Sequence, residues 1–175
     1  MTSARPLQVG VSELLRHPGS RRRFETDVVL DGLSVSTAAV PDGASIHVDV
    51  ILESLSSALT ATGMVGVPWQ GACRRCLDPV SGEAEAEVHA EVFERHPTEG
   101  ETYALTGEQI DLEPLVRDAV VLALPLAPLC GDDCRGPSPD SFPTGSGELA
   151  GHDLADGDHE IDPRWAGLGD LHFDD

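Results

Sequence analysis

The chain has 175 residues, with 11 Lys or Arg against 31 Asp or Glu and a formal charge of −20. That length fits about one domain. The charge excludes a bulk binder of nucleic acid or of anionic membrane, because an acidic surface repels phosphate over a Debye length. Aromatic residues make up 4% and the hydrophobic fraction 40%, so a core has to be built mainly from Val, Leu and Ala.

The longest apolar run, Ala119 to Leu129, contains Pro125 and Pro128. A helical membrane span needs roughly 20 apolar residues, so no membrane association is expected. The first residues lack the apolar stretch of a signal peptide, and the expected compartment is the cytoplasm. Thiols stay reduced there, and clustered cysteines favour metal binding or catalysis over disulfides. The charge is uneven. Five arginines and one glutamate give residues 1–23 a net +4, residues 24–134 carry −16, and residues 135–175 carry −8.

In chain order, Val11 to Arg16 reads as a short helix, with Ser12 as N-cap and Leu14 and Leu15 as anchors. Pro18 and Gly19 end it, and Arg21, Arg22 and Arg23 are expected in a loop. Strand-like runs follow at 24–30, 33–40 and 45–52, separated by turns at Asp31-Gly32 and Pro41-Asp42-Gly43. Leu55 to Val67 reads as a strand that bends or bulges at its glycines.

Val80 to Val92 alternates strictly, apolar or small at even positions and polar at odd ones. Period two places each set on its own face of a strand. Glu83, Glu85, Glu87 and Glu91 are then expected together on an open, solvated face. Next comes one long helix, capped by Asp111, with Glu113 and Pro114 in its first turn and Pro125 as its stop. Leu115, Val116, Ala119, Val120, Leu122 and Ala123 supply an apolar surface for packing across the sheet. The expected class is α+β: a mostly antiparallel curved sheet or partial barrel with one main helix. Residues 1–134 form the domain. Residues 135–175 are expected to be an acidic, largely disordered tail, with a docking motif near 161–171 in which Arg164 and Trp165 are the partner-binding candidates.

Four cysteines come in two pairs. Cys73 and Cys76 bracket two residues, and Cys130 and Cys134 bracket three. A C-x2-C with a C-x3-C can supply the tetrahedral thiolate set that structural zinc prefers. With no unpaired cysteine left over, a closed site is favoured over one with an open position. A zinc ion with four thiolates carries −2; Asp132 and Asp133 add −2, and Arg74, Arg75 and Arg135 return +3, leaving about −1. Two other readings stand beside it: four reduced thiols without metal, and a redox Cys-x-x-Cys. The redox pair normally sits at a helix N-terminus, whereas this one joins two strands. Arg21, Arg22, Arg23, Arg74 and Arg75 are the candidates for local phosphate contact. The seven histidines are scattered, and the sequence contains no phosphate-cradling glycine loop, nucleophile elbow or metalloprotease motif.

Cys73-Arg74-Arg75-Cys76-Leu77-Asp78-Pro79-Val80 resembles the C-x-R-C-L-x-P segment of the YceD family, also called the large ribosomal RNA subunit accumulation protein family. Ile110 to Asp118 followed by Leu122 to Cys130 resembles its second block, and Asp162 to Leu168 is similar to its ending. The resemblance implies a cytoplasmic protein needed for accumulation or processing of large-subunit ribosomal RNA, whose gene commonly lies beside that of a large-subunit ribosomal protein. It implies no catalytic residue. The resulting expectation is a non-enzymatic factor in ribosome biogenesis that contacts a large-subunit ribosomal protein or a pre-ribosomal particle, with RNA contact only local. The alternatives are a thiol oxidoreductase or rRNA-processing nuclease, and an acidic protein-binding adaptor unrelated to ribosomes. Rapid alkylation of Cys73 or Cys76 would mark the first, and normal ribosomal subunit ratios in a deletion strain the last. The residues carry no signature of an oligomeric state.

Overall fold

A computed structural model describes residues 6–137. The expected tail from 138 onward, with Arg164 and Trp165, lies outside the described residues. The elements are β1 (Gln8–Gly10), α1 (Ser12–Arg16), β2 (Arg21–Val28), β3 (Ala38–Ala39), β4 (Ile46–Ser54), β5 (Leu59–Ala72), β6 (Pro79–Glu94), β7 (Tyr103–Thr106), β8 (Gln109–Asp111) and α2 (Glu113–Ala123). One sheet runs β1-β8-β7-β6-β5-β4-β2, with β3 added to β5. Its pairings are antiparallel except β6 with β7. The sheet curls into a half-barrel with one main helix, as the sequence pattern predicts. No helix among the described residues is long and apolar enough to cross a membrane.

Alternation builds the core. Ile46, Val48, Val50 and Leu52 of β4 are fully buried, as are Leu59, Ala61 and Val65 of β5. Between the β4 residues, His47 and Ile51 are exposed and Asp49 is half-buried. Leu115, Val116 and Val120 of α2 join the same core. Leu112 holds the N-cap position of this helix, one residue after the expected Asp111, whose Oδ1 nevertheless accepts the Glu113 amide at 2.9 Å. Leu122 faces water at 85% exposure, contrary to the expected apolar surface. The hydrophobic face is therefore narrower than the composition suggests.

Three expectations need correction. Ser12 is the first residue of α1, not its cap; Val11 holds that position and no side chain caps the helix. The 33–40 run contributes only β3 and an isolated bridge between Ser34 and Ala39. Arg21, Arg22 and Arg23 are not in a loop. They open β2, in register with Glu53, Leu52 and Ile51 of β4. Arg21 and Arg23 point outward to acids. Arg22 turns to the other face, where its Nη2 donates to the Gly10 carbonyl at 2.8 Å.

The alternation of β6 holds only as far as Val88. Gly63 pairs with Val88 but Ala61 pairs with Glu91, so β6 carries one extra residue. Ala90 takes up that residue with φ of 50°. One inserted residue inverts the faces beyond it. Phe93, odd-numbered, is fully buried, and Glu91 leaves the face shared by Glu83, Glu85 and Glu87. On β5 a Cβ at Gly63 would overlap the Asp49 carbonyl oxygen, so only glycine fits opposite the bulge. The sequence expectation of a bulge at the β5 glycines thus locates the irregularity, but the extra residue lies on the partner strand.

Candidate metal centre

The first cysteine pair sits in the turn between β5 and β6. Cys73 donates its amide to the Asp78 carbonyl at 2.8 Å, and Leu77 donates back to the Cys73 carbonyl at 2.9 Å. Closing this tight turn puts Leu77 at φ of 66°. The second pair follows α2. Pro125 and Pro128 direct the chain away from the helix axis, and Cys134 donates its amide to the Gly131 carbonyl at 3.2 Å. The two turns are joined by backbone: the Arg74 amide donates to the Pro128 carbonyl at 2.9 Å. Arg75 adds a side-chain bridge, its Nη1 donating to the carbonyls of Asp132 at 3.0 Å and Cys134 at 3.2 Å.

This frame brings all four sulfurs within 4.8 Å of one another. Cys73 Sγ lies 3.7 Å from Cys134 Sγ, and Cys76 Sγ lies 3.6 Å from Cys130 Sγ. A disulfide needs about 2.05 Å, so these are thiols. Four sulfurs at the zinc–thiolate distance of about 2.3 Å from a common centre would stand about 3.8 Å apart at the corners of a tetrahedron. The donor set therefore fits a metal ion in chemistry and in size. Cys73, Cys76, Cys130 and Cys134 would hold it, and its contribution would be to tie the end of α2 to the β5–β6 turn.

The surroundings already favour negative charge at one corner. Cys73 is fully buried. The backbone N–H groups of Cys76 and Cys130 converge on its sulfur, joined by that of Arg75 at 3.4 Å, and they bring its pKa down to about 6. At Cys76 the Asp78 backbone pulls the pKa down. Burial and the sulfurs of Cys73, Cys130 and Cys134 outweigh it and hold the thiol up at about 12. Cys130 is raised, first by the Cys134 sulfur. Without a cation these crowded thiols cannot all ionise; a central divalent ion reverses that balance.

The arginines are distributed differently from their sequence grouping. Arg21 pairs with Glu53 at 2.9 Å, and Arg23 chelates Asp49 through two bonds of 2.7 Å while reaching Glu25 at 3.2 Å. Arg74 is exposed beside the cysteines. Arg21–Arg23 stand on the β2–β4 edge of the sheet, so the structure does not gather the five into one patch. The backbone donors to Cys73 and the bridging role of Arg75 were not readable from the chain, because neither has a side-chain signature. The Cys-x-x-Cys turn joins two strands, and its buried Cys73 has none of the access an oxidoreductase nucleophile needs.

The fold and the cysteine cluster together define a small acidic half-barrel with a four-thiol metal-site geometry. The chain belongs to the YceD family: residues 61–172 match the family described as large ribosomal RNA subunit accumulation protein YceD. That match spans both cysteine pairs and continues through Arg164 and Trp165. The chain is also 33% identical over 174 residues to an uncharacterized protein of Mycobacterium tuberculosis, covering 94% of this chain and 81% of the relative. It is 30% identical over 177 residues to an uncharacterized protein of Mycobacterium leprae, covering 95% and 77% respectively. No solved structure matches.

Proposed function

We propose that this protein is a non-enzymatic factor supporting accumulation of large-subunit ribosomal RNA, that it acts in the cytoplasm, and that its direct partner is a basic large-subunit ribosomal protein or a pre-ribosomal particle carrying one. The observation that carries the reading is the four-sulfur cluster in a chain of this family: all four ligand positions are filled by the protein's own thiols, which suits a structural staple and leaves no vertex for a substrate. The metal is zinc, because an all-thiolate tetrahedral set matches its preference. The −16 charge of residues 24–134 favours a cationic protein over RNA as the main ligand. Local phosphate contact falls first to Arg74. Arg21, Arg22, Arg23 and Arg75 already spend donors on protein acceptors. Arg164 and Trp165 serve as an accessory partner contact.

Ribosome profiles of a deletion strain test the role. The expected result is a deficit of large subunits, restored by the wild-type gene. Normal subunit ratios would remove the ribosomal reading and leave an acidic adaptor.

A further inference from the structure

The solvent face of the sheet combines unpaired acids, exposed apolar side chains and a slot. Cross-strand register sets Asp27, His47, Gly66 and Glu85 in one row, and Glu25, Asp49, Met64 and Glu87 in the next. At one edge the acids are neutralised by Arg23, and His47 Nδ1 lies 2.9 Å from Asp27. Toward β6 they are not: among the described residues no arginine or histidine lies within ion-pair range of Glu83 or Glu85. Gly66 has no side chain to fill its place in the row. The result is a depression of about 250 Å³ lined by Ser45, His47, Gly66, Pro68, Glu83 and Glu85. In the adjoining row Met64 stays 40% exposed, and one row further along Ile51 stays 46% exposed, on a face where alternation would allow polar residues.

We propose that this face is the docking surface for an arginine- or lysine-bearing segment of a basic protein, with one cationic side chain laid in the slot over Gly66. The inference deepens the proposed function by naming the surface its partner uses. The glycine floor and Pro68 cover the aliphatic stem of such a side chain, and Glu83 and Glu85 on one wall receive its head. A guanidinium matches carboxylates with paired hydrogen bonds, which a point charge does not. Met64 adds apolar area next to the slot, so contact is more than charge attraction. The same carboxylates repel RNA phosphate and a second copy of this chain.

The test separates the slot from general acidity. Gly66 has an ordinary φ, and a Cβ there would meet only His47 Cβ at 3.8 Å, so Gly66→Val fills the slot without changing charge or forcing the backbone. The full chain is titrated against a fluorescein-labelled arginine-rich peptide and, in a separate titration, against fluorescein-labelled poly-U RNA. G66V and the pair E83Q/E85Q are each expected to weaken peptide binding at least tenfold, while E99Q/E101Q, on an exposed loop away from this face, changes it less than twofold. The same affinity in G66V and E83Q/E85Q as in the wild type would overturn the proposal. So would an equal loss in E99Q/E101Q, or poly-U binding that G66V and E83Q/E85Q weaken as they weaken the peptide's. Melting curves check each fold, and E83Q/E85Q decides alone if G66V unfolds. Unaltered binding in these variants alongside a large-subunit deficit in the deletion strain removes the surface and keeps the ribosomal role. The reverse pair of results keeps the surface and removes the role.

Discussion

The amide of Arg74 donates to the carbonyl of Pro128 at 2.9 Å, so a main-chain bond joins the two cysteine turns independently of any metal. The neighbouring Arg75 repeats the link through its side chain, to Asp132 and Cys134. The sulfur cage is thus pre-shaped by ordinary hydrogen bonds, and metal binding need not organise a disordered loop. Preorganisation of this kind favours tight binding, because little ordering entropy is left to lose.

Metal removal is the first test. Purified protein is expected to carry one zinc per chain by elemental analysis. A ligand at a thousand times its Kd stabilises by about 4 kcal/mol, which for a domain of this size corresponds to on the order of 10–15 °C in melting temperature. Chelation under reducing conditions is expected to lower the melting point by that much, and Cys76→Ser or Cys130→Ser to abolish the effect of chelator. Metal-free protein with a melting curve indifferent to chelator would leave the four thiols as simple packing.

Arg75→Ala separates the two supports of the cage. It removes the side-chain bridge and leaves every sulfur and the Arg74 amide in place. Hydrogen bonds from a charged donor contribute about 1.5–3 kcal/mol, and this exposed pair belongs at the low end. The expected result is roughly tenfold weaker zinc affinity, measured by competition with a chromophoric chelator, at unchanged stoichiometry.

Gly63 and Gly66 lie three positions apart on β5 and should respond oppositely to substitution. A side chain at Gly63 would overlap the Asp49 carbonyl and crowd the Val50 Cα at 2.7 Å. Both are backbone atoms of the central strand pair and cannot give way cheaply. Gly63→Val is expected to cost about 3 kcal/mol or more, against little or no loss for Gly66→Val, where a β-branched residue suits the strand. Denaturant midpoints of the two variants measure the difference.

That contrast also marks how far the chain could be read without coordinates. The period-two pattern gave β6, and the spacing of Cys73–Cys76 and Cys130–Cys134 pointed to the four-sulfur cluster, because both signals are local. The face reversal after Val88 was invisible: its agent is Ala90, a residue with no preference for positive φ. The strand character of Arg21–Arg23 was hidden for a different reason. Its stabilising partners, Glu53 and Asp49, lie on β4, and only the pairing register brings opposite charges together. The strands β1, β7 and β8 are three or four residues long, too short to display a period. Tyr103 of β7 is fixed instead by non-local contacts, stacking on Phe93 at 5.3 Å and donating its hydroxyl to Asp118 at 3.0 Å.

Acid–base behaviour on the sheet face has a definite sign. The hydrogen bond to Asp27 raises the His47 pKa above 6.5, with Glu25 and Asp49 adding to it. A raised histidine contributes stability that is fully present below its unfolded pKa and is lost as pH rises through the folded value. The Asp49 pKa is lowered by its hydrogen bond to Arg23, and that contribution is present above the ordinary value of 3.8 and lost as pH falls through the folded one. Both groups are solvated, so the energies are small and the titration is the better readout. An NMR titration is expected to place the His47 midpoint above 6.5 in the wild type and to move it down in Asp27→Asn. An identical midpoint in the two proteins would mean that the 2.9 Å contact to Asp27 does not persist in solution.

Leu77 offers the last test. It stands at φ of 66° with 71% of its surface exposed. A left-handed residue with a Cβ costs about 1–2 kcal/mol relative to the right-handed region, and glycine escapes that cost at some expense in unfolded-state entropy. Burial does not offset the strain, since the side chain faces water. The turn itself depends on main-chain bonds, from Leu77 to Cys73 and from Cys73 to Asp78, that glycine makes equally well. Leu77→Gly is therefore expected to keep the zinc stoichiometry and to raise stability by up to about 1 kcal/mol, read as a higher denaturant midpoint with an unchanged slope. A clear loss of stability would show that the leucine makes a contact worth more than the strain it carries. The same variant assayed in the deletion strain would then show whether that contact serves the folded chain alone or the assembling large subunit.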